Sequence, residues 1–211
     1  MSAREAVLGR IRSALGRKPG QAPAHLPPVR LSAHPSEPEV RLNTFFLSIE
    51  KLAGKTYHAS SREDACRHVA MLLAGRTAIA SNAELLTRCG IAALHGVRSG
   101  ITGKAELRDL CASLDAGITS ADYALGDTGT LVMLSSPQEA RMISLLPPLH
   151  IAVVERSRIL SGLDELFTIL PKPADLTSSM VLITGPSRTG DIEQILIRGV
   201  HGPGEIHVIV I

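Results

Sequence analysis

Two short apolar runs constrain this chain more than anything else in it: Leu131-Val132-Met133-Leu134 and Leu149-His150-Ile151-Ala152-Val153-Val154. Neither alternates polar with apolar, and both are bounded by turn residues, which suits strands buried on both faces of a parallel sheet. Between them stands Ser136-Pro137-Gln138-Glu139. Ser136 reads as an N-cap, Pro137 as the first helical position and Glu139 as the closing residue of a capping box. The spacing predicts a helix over 138–146, stopped by Pro147-Pro148. A strand–helix–strand unit results, with the polar loop Gly126-Asp127-Thr128-Gly129-Thr130 in front of it.

The same rhythm runs through the rest of the chain. Strands are expected at Thr56–Ala59, Thr77–Ala80, Val97–Ile101 (the weakest), Ser179–Thr184 and Glu205–Ile211. Helices are expected after the caps Ser60…Glu63 or Ser61…Asp64, after Ser81…Glu84, and over 102–116, 159–170 and 188–198. Strands alternating with helices imply an α/β fold, a mostly parallel sheet with helices on both faces. Ahead of this lie an amphipathic helix at 2–15, a linker at 17–38 rich in proline, and a helix at 39–52. Pro19, Pro23, Pro27, Pro28, Pro35 and Pro38 rule out regular structure in that linker. The expected division is a leader at 1–38 and an α/β domain at 39–211.

Charge is unevenly placed. Residues 1–30 carry six basic side chains against Glu5, although the whole chain is only +2. Such an arm suits an anionic or acidic partner, or is simply a solvated helix. With no Trp, two Tyr and three Phe, a base-stacking platform for nucleic acid is hard to build. Cys66, Cys89 and Cys111 form no CxxC pair, so neither an iron–sulfur nor a cysteine–zinc site is written here. The N-terminus lacks an apolar signal segment, and no run of about 18 apolar residues is present. A soluble, cytoplasmic protein is expected.

Familiar signatures fail. Gly103-Lys104 ends like a P-loop, but Arg98 stands at its first glycine position and Ala105 replaces the magnesium-binding hydroxyl. There is no GxGxxG, no HExxH and no GxSxG. Three loops remain. In Gly126–Thr130, glycines expose backbone N–H groups, Thr128 and Thr130 add hydroxyls, and Asp127 can act as nucleophile, base or hydroxyl acceptor. Alternatively Asp127 caps a tight turn. In Gly185-Pro186-Ser187-Arg188-Thr189-Gly190, a hydroxyl and a guanidinium before a helix suit a carboxylate or phosphate. Equally, Ser187 or Thr189 is only the N-cap, with Asp191 and Glu193 favouring the dipole. In Gly199-Val200-His201-Gly202-Pro203, His201 is an acid–base or anion-contact residue, or a loop histidine without a role. His150 and His207 sit inside strand patterns and read as structural.

Taken in order, Gly126–Thr130, Ser144-Leu145-Leu146-Pro147-Pro148-Leu149-His150, Thr184–Thr189 with Asp191-Ile192-Glu193, and Gly199–Pro203 followed by Ile206-His207-Val208 resemble the LutC/YkgG family of lactate-utilization proteins, which carry a LUD domain. The likeness covers roughly residues 40–211. Many relatives read Glu-Thr-Gly-Thr where this chain has Asp127-Thr128-Gly129-Thr130, a carboxylate shorter by one methylene. The resemblance implies a NagB/RpiA/CoA-transferase-like α/β domain. It also implies a role in oxidising L-lactate to pyruvate alongside two partner proteins, at least one carrying iron–sulfur clusters; no cofactor is expected in this chain itself, which lacks cluster cysteines and both nucleotide fingerprints. Two other readings stay open. One is a free-standing CoA-transferase-like or sugar-phosphate-isomerase-like enzyme with Asp127 as nucleophile or base. The other is a regulatory scaffold binding through its basic helix.

Overall fold

The computed structural model describes residues 2–18, 20–21, 37–189 and 197–211. The chain divides into two units, 1–31 and 32–211. In the first, α1 (Ala3–Ala14) starts with a reciprocal cap: Ser2 Oγ accepts from Glu5 N at 3.2 Å and Glu5 Oε2 from Ser2 N at 2.8 Å. Most of the expected linker lies outside the described residues.

The second unit is built on β1 (Lys55–His58), β2 (Ala78–Ala80), β3 (Val97–Arg98), β4 (Ala116–Ser120), β7 (Leu149–Val154) and β12 (Glu205–Val210). They form a six-stranded sheet in the order β1-β12-β7-β4-β2-β3, every pair parallel. All six residues of β7 are buried. Leu149, Ile151 and Val153 pack with α3 (Arg62–Leu73) and α4 (Glu84–Arg88). Ala152 and Val154 pack on the opposite side with Leu42, Phe45 and Ile49 of α2 (Pro38–Lys51). Period-two alternation thus sends one apolar strand into two cores. The parallel sheet, covered on both faces, is the α/β architecture expected. Ser61, not Ser60, caps α3, accepting from Asp64 N at 3.1 Å.

A second sheet was not expected. It has the order β8-β5-β6-β9, made of β5 (Tyr123–Leu125), β6 (Thr130–Leu134), β8 (Ile159–Leu160) and β9 (Met180–Ile183). The run Leu131–Leu134 belongs here, antiparallel to both β5 and β9. It is apolar because Leu131 and Met133 face α2, while Val132 and Leu134 pack with Leu166 of α7 (Leu163–Ile169). A tight turn joins β5 to β6, and an apolar run alone does not distinguish a hairpin strand from a parallel one.

Several other boundaries differ from expectation. The helix expected over 102–116 is α5 (Lys104–Ser113), and β4 begins at Ala116. The helix expected over 138–146 shrinks to α6 (Met142–Leu145). Ser136 Oγ does accept from Gln138 N and Glu139 N, at 3.2 and 3.0 Å, but this closes a turn. Ser81 does not cap α4, whose N-cap is Ala83. The 159–170 helix yields its first residues to β8, and β9 is a half-exposed edge rather than a buried strand. Of the helix expected over 188–198, residues 190–196 lie outside the described set. Its two ends, β10 (Arg188–Thr189) and β11 (Ile197–Arg198), pair antiparallel.

Gly117 looks like a strand breaker and is instead a packing requirement. A Cβ there would lie 1.9 Å from Ile143 O. Gly117→Ala is expected to destabilise the protein by at least about 3 kcal/mol, the upper end of overpacking costs, read as a lowered urea midpoint at unchanged slope.

Candidate functional site

Two of the three loops singled out in the sequence rest on the C-terminal end of α2, and the third is tied to them through Ser187. Gly129 has φ +66, and a Cβ on it would lie 2.5 Å from Ile49 N, so the hairpin tip rests directly on helix backbone. Ser48 Oγ donates to Asp127 O at 3.3 Å. Gly185, at φ +86, meets Leu52 in the same way, 2.9 Å from a Cβ to Leu52 Cβ. The tip and the second loop are joined by hydroxyls. Thr130 Oγ1 donates to Thr128 Oγ1 at 2.8 Å, so in its 2.8 Å contact with Thr184 Oγ1 it must accept. Thr130 is buried, whereas Thr128 and Asp127 are exposed.

Ser187 ties the second loop to the third. Its N–H donates to Pro203 O at 2.8 Å, its carbonyl accepts from Gly199 N at 3.0 Å, and its hydroxyl accepts from His201 N at 3.4 Å. The Arg188 guanidinium donates to Leu52 O at the end of α2, where a cation favours the helix dipole. Thr189 pairs with Ile197, and the His201 ring is exposed. Asp127 points elsewhere. Its Oδ2 lies over Gly162, 2.6 Å from where a Cβ would stand, and among the described residues its carboxylate accepts no hydrogen bond. Gly204 N donates to Pro148 O at 3.0 Å, so the third loop sits at the amino edge of the parallel sheet.

The carboxyl edge holds residues that sequence reasoning missed. After β2 the chain turns to α4 on one face of the sheet; after the neighbouring β4 it turns to the second sheet on the other. Adjacent strands whose continuations diverge open a crevice, where open α/β sheets bind ligands. Ser81 and Ser120 flank this crevice, and Glu139 closes it from behind. Glu139 is 7% exposed. Its Oε2 accepts from Ser81 Oγ at 2.7 Å and from Ser120 N at 3.3 Å, and its buried Oε1 has no partner among the described residues. Burial, opposed by those two hydrogen bonds and helped by nearby Asp122, pushes the Glu139 carboxyl up to about 8. It therefore holds its proton at neutral pH. Asp122 is also raised by burial, against the pull of Leu134 N, which donates to its Oδ2 at 2.6 Å.

In front of this pair opens a cleft of about 200 Å³ lined by Ser120, Asp122, Tyr123, Arg88, Glu155 and Arg158. Arg88 is paired with Glu155 at 3.1 Å. Arg158 lies over the Tyr123 ring at 5.3 Å and donates to its hydroxyl at 3.3 Å. Glu139 reads as a capping residue in the sequence, because only the fold shows that the Ser136 turn aims it at the sheet.

With this geometry in view, the chain matches the LUD domain over residues 42–211. The chain belongs to the LUD domain family. Lactate utilization protein C of Halalkalibacterium halodurans is 41% identical over 93 residues, 42% of this chain and 40% of the relative. Lactate utilization protein C of an Exiguobacterium species is 36% identical over 108 residues, 49% of this chain and 47% of the relative. The aligned stretches thus span less than half of those relatives' length. Among solved structures, a DUF162 family protein from Deinococcus radiodurans superposes with TM-score 0.65 at 20% identity, covering 83% of this chain and 99% of that one. That likeness establishes a shared fold. No helix among the described residues of this LUD-domain protein is long and apolar enough to cross a membrane.

The raised Glu139 makes a prediction. An unfolded carboxyl ionises near 4.5, the folded one near 8. Between those values the folded state binds more protons, so stability falls as pH rises through that window. Glu139→Gln removes the titration. Its urea midpoint, measured at pH 5 and pH 8, is expected to lack a loss on the order of a few kcal/mol that wild type shows.

Proposed function

We propose that this chain is a LutC-like subunit that supports the oxidation of L-lactate to pyruvate together with iron–sulfur partner proteins. The supporting observation is the family membership, joined to two relatives named lactate utilization protein C at 36–41% identity. Converting lactate to pyruvate releases two electrons and two protons. On this reading the electrons pass to clusters in the partners. This chain contributes oxygen- and nitrogen-bearing side chains suited to holding a small carboxylate and handling protons. Its three thiols lie in separate elements, Cys66 in α3, Cys89 after α4 and Cys111 in α5. Thr128, Gly129, Thr130, Ser187, Arg188, Thr189 and His201 form the loop cluster at the amino edge, a surface for an anion or a partner.

A second reading, a free-standing CoA-transferase-like or isomerase-like enzyme, is favoured by one observation. The Asp127 carboxylate is exposed and spends no hydrogen bond among the described residues, as a nucleophile or base needs.

Tagged protein recovered from its native host grown on lactate distinguishes the two. The subunit reading expects a brown eluate with stoichiometric partners that turns lactate into pyruvate, and Asp127→Asn retains both assembly and colour. A colourless, solitary protein whose turnover of a CoA ester or sugar phosphate is lost in Asp127→Asn overturns it.

A further inference from the structure

The carboxyl-edge cleft has a size, a charge and a set of unused donors that together define a ligand. At roughly 30 Å³ for each water-sized group, about 200 Å³ suits a molecule of about six or seven heavy atoms. Of the two guanidiniums on its wall, Arg88 is held by Glu155 at 3.1 Å and lies 3.9 Å from Glu84. Arg158 has no carboxylate partner among the described residues; its one side-chain hydrogen bond goes to Tyr123. Stacked on that ring, it presents a fixed fork of donors, the geometry that takes a carboxylate through two parallel hydrogen bonds. Also lining the cleft, Asp122 Oδ2 is occupied by Leu134 N, while Asp122 Oδ1 and the Ser120 hydroxyl have no partner among the described residues.

We propose that this cleft binds a small 2-hydroxy or 2-oxo monocarboxylate, with Arg158 taking the carboxylate, the Ser120 hydroxyl donating to the oxygen on carbon 2, and Asp122 accepting from that oxygen where it is a hydroxyl. The choice of lactate or pyruvate as that ligand rests on the functional reading above; the site itself does not. Glu139 acts as a positioning residue behind the site, holding Ser120 N through Oε2. Because its carboxyl keeps a proton near neutral pH, Glu139 adds no negative charge beside Asp122 there. Asp122 on the link to β5, Arg158 before β8 and the Arg88–Glu155 pair are the charged groups that line the cleft. Above about pH 8, ionised Glu139 stands beside Asp122, and affinity for an anion falls.

Isothermal titration of the purified full chain with sodium L-lactate, pyruvate, glycolate and propionate tests this. At pH 7, lactate or pyruvate is expected to bind at least tenfold more tightly than propionate, which lacks the oxygen on carbon 2. Arg158→Gln is expected to weaken binding at least tenfold, and Arg158→Lys to recover part of it. Arg158 is exposed, so neither change reaches the core, and an unchanged thermal melt verifies that. Glu139→Gln is expected to bind at pH 7 and to lose the decline in affinity between pH 7 and pH 9. If lactate binds equally well to Arg158→Gln, the cleft assignment fails while the lactate reading stands. If glycolate binds through Arg158 but lactate and pyruvate do not, the site stands and the lactate reading fails. Absence of binding by all four acids overturns the site, leaving the purified complex as the separate test of the subunit.

Discussion

Everything else in the α/β unit depends on β7 being buried on both faces. A strand in that position needs a neighbour on each edge and an apolar layer above and below, or its backbone groups and side chains are left unsatisfied. The edges are β12 and β4, in parallel register from Glu205↔Leu149 to Val210↔Val154 and from Ala116↔Leu149 to Ser120↔Val153. The layers are α3 and α4 below and α2 with the second sheet above. Because β12 lies near the end of the sequence and β1 pairs outside it, the sheet is complete only when Glu205–Val210 has inserted between two strands made much earlier. His150 shows how firmly that centre is sealed. Burial pushes it down to about 4, so it sits uncharged in the sheet with Nε2 2.8 Å from Thr119 Oγ1.

Sealing β7 also fixes where chemistry can occur. The faces are covered, leaving the two edges of the sheet, and these differ in kind. At the amino edge, glycines allow loops to lie on the backbone of α2: Gly129 on Ile49 and Gly185 on Leu52. Their role is close approach, and the polar groups brought together there largely satisfy one another, as in the Thr184–Thr130–Thr128 hydroxyl chain and the Ser187 bonds to Gly199, His201 and Pro203. At the carboxyl edge the balance is reversed. Glu139 Oε1 is buried without a partner among the described residues, and an orphaned buried oxygen is costly unless it carries a proton or awaits a donor.

The sequence made the parallel sheet legible because its signals are local: apolar runs at β7 and β12, and a Ser cap at α3. The second sheet was hidden because its signals are not. Leu131–Leu134 looks alike whether it crosses to a parallel neighbour or folds back on Tyr123–Leu125, and the decision lies with the turn and with α2 beneath it. Gly117 likewise reads as an interruption until Ile143 O is seen where its Cβ would be. The loops were legible as loops, and the seating of two of them on α2 was not, since Ser48, Ile49 and Leu52 carry no motif. Glu139 was misread for a definite reason. Three residues after Ser136, a carboxylate satisfies a helix cap in sequence and a turn in space equally well, and only its burial separates the two.

That misreading bears on how the carboxyl edge works. A carboxylate capping a helix is charged, solvated and favoured by the dipole; one buried beside Asp122 is held neutral by the same burial that hides it. Had both carboxyls been ionised, the cleft would repel the anions its arginines attract. With Glu139 neutral, Arg158 has Asp122 as its near carboxyl, and the Arg158 charge opposes the rise that burial imposes on Asp122. The three groups are therefore coupled, and the protonation of a residue outside the cleft changes the field inside it. The turn Ser136–Glu139 is what places that residue. Ser136 Oγ accepts from Gln138 N and Glu139 N, and Ser136 N donates to Glu139 O at 3.1 Å, so the chain closes on itself as a turn here and α6 begins only at Met142.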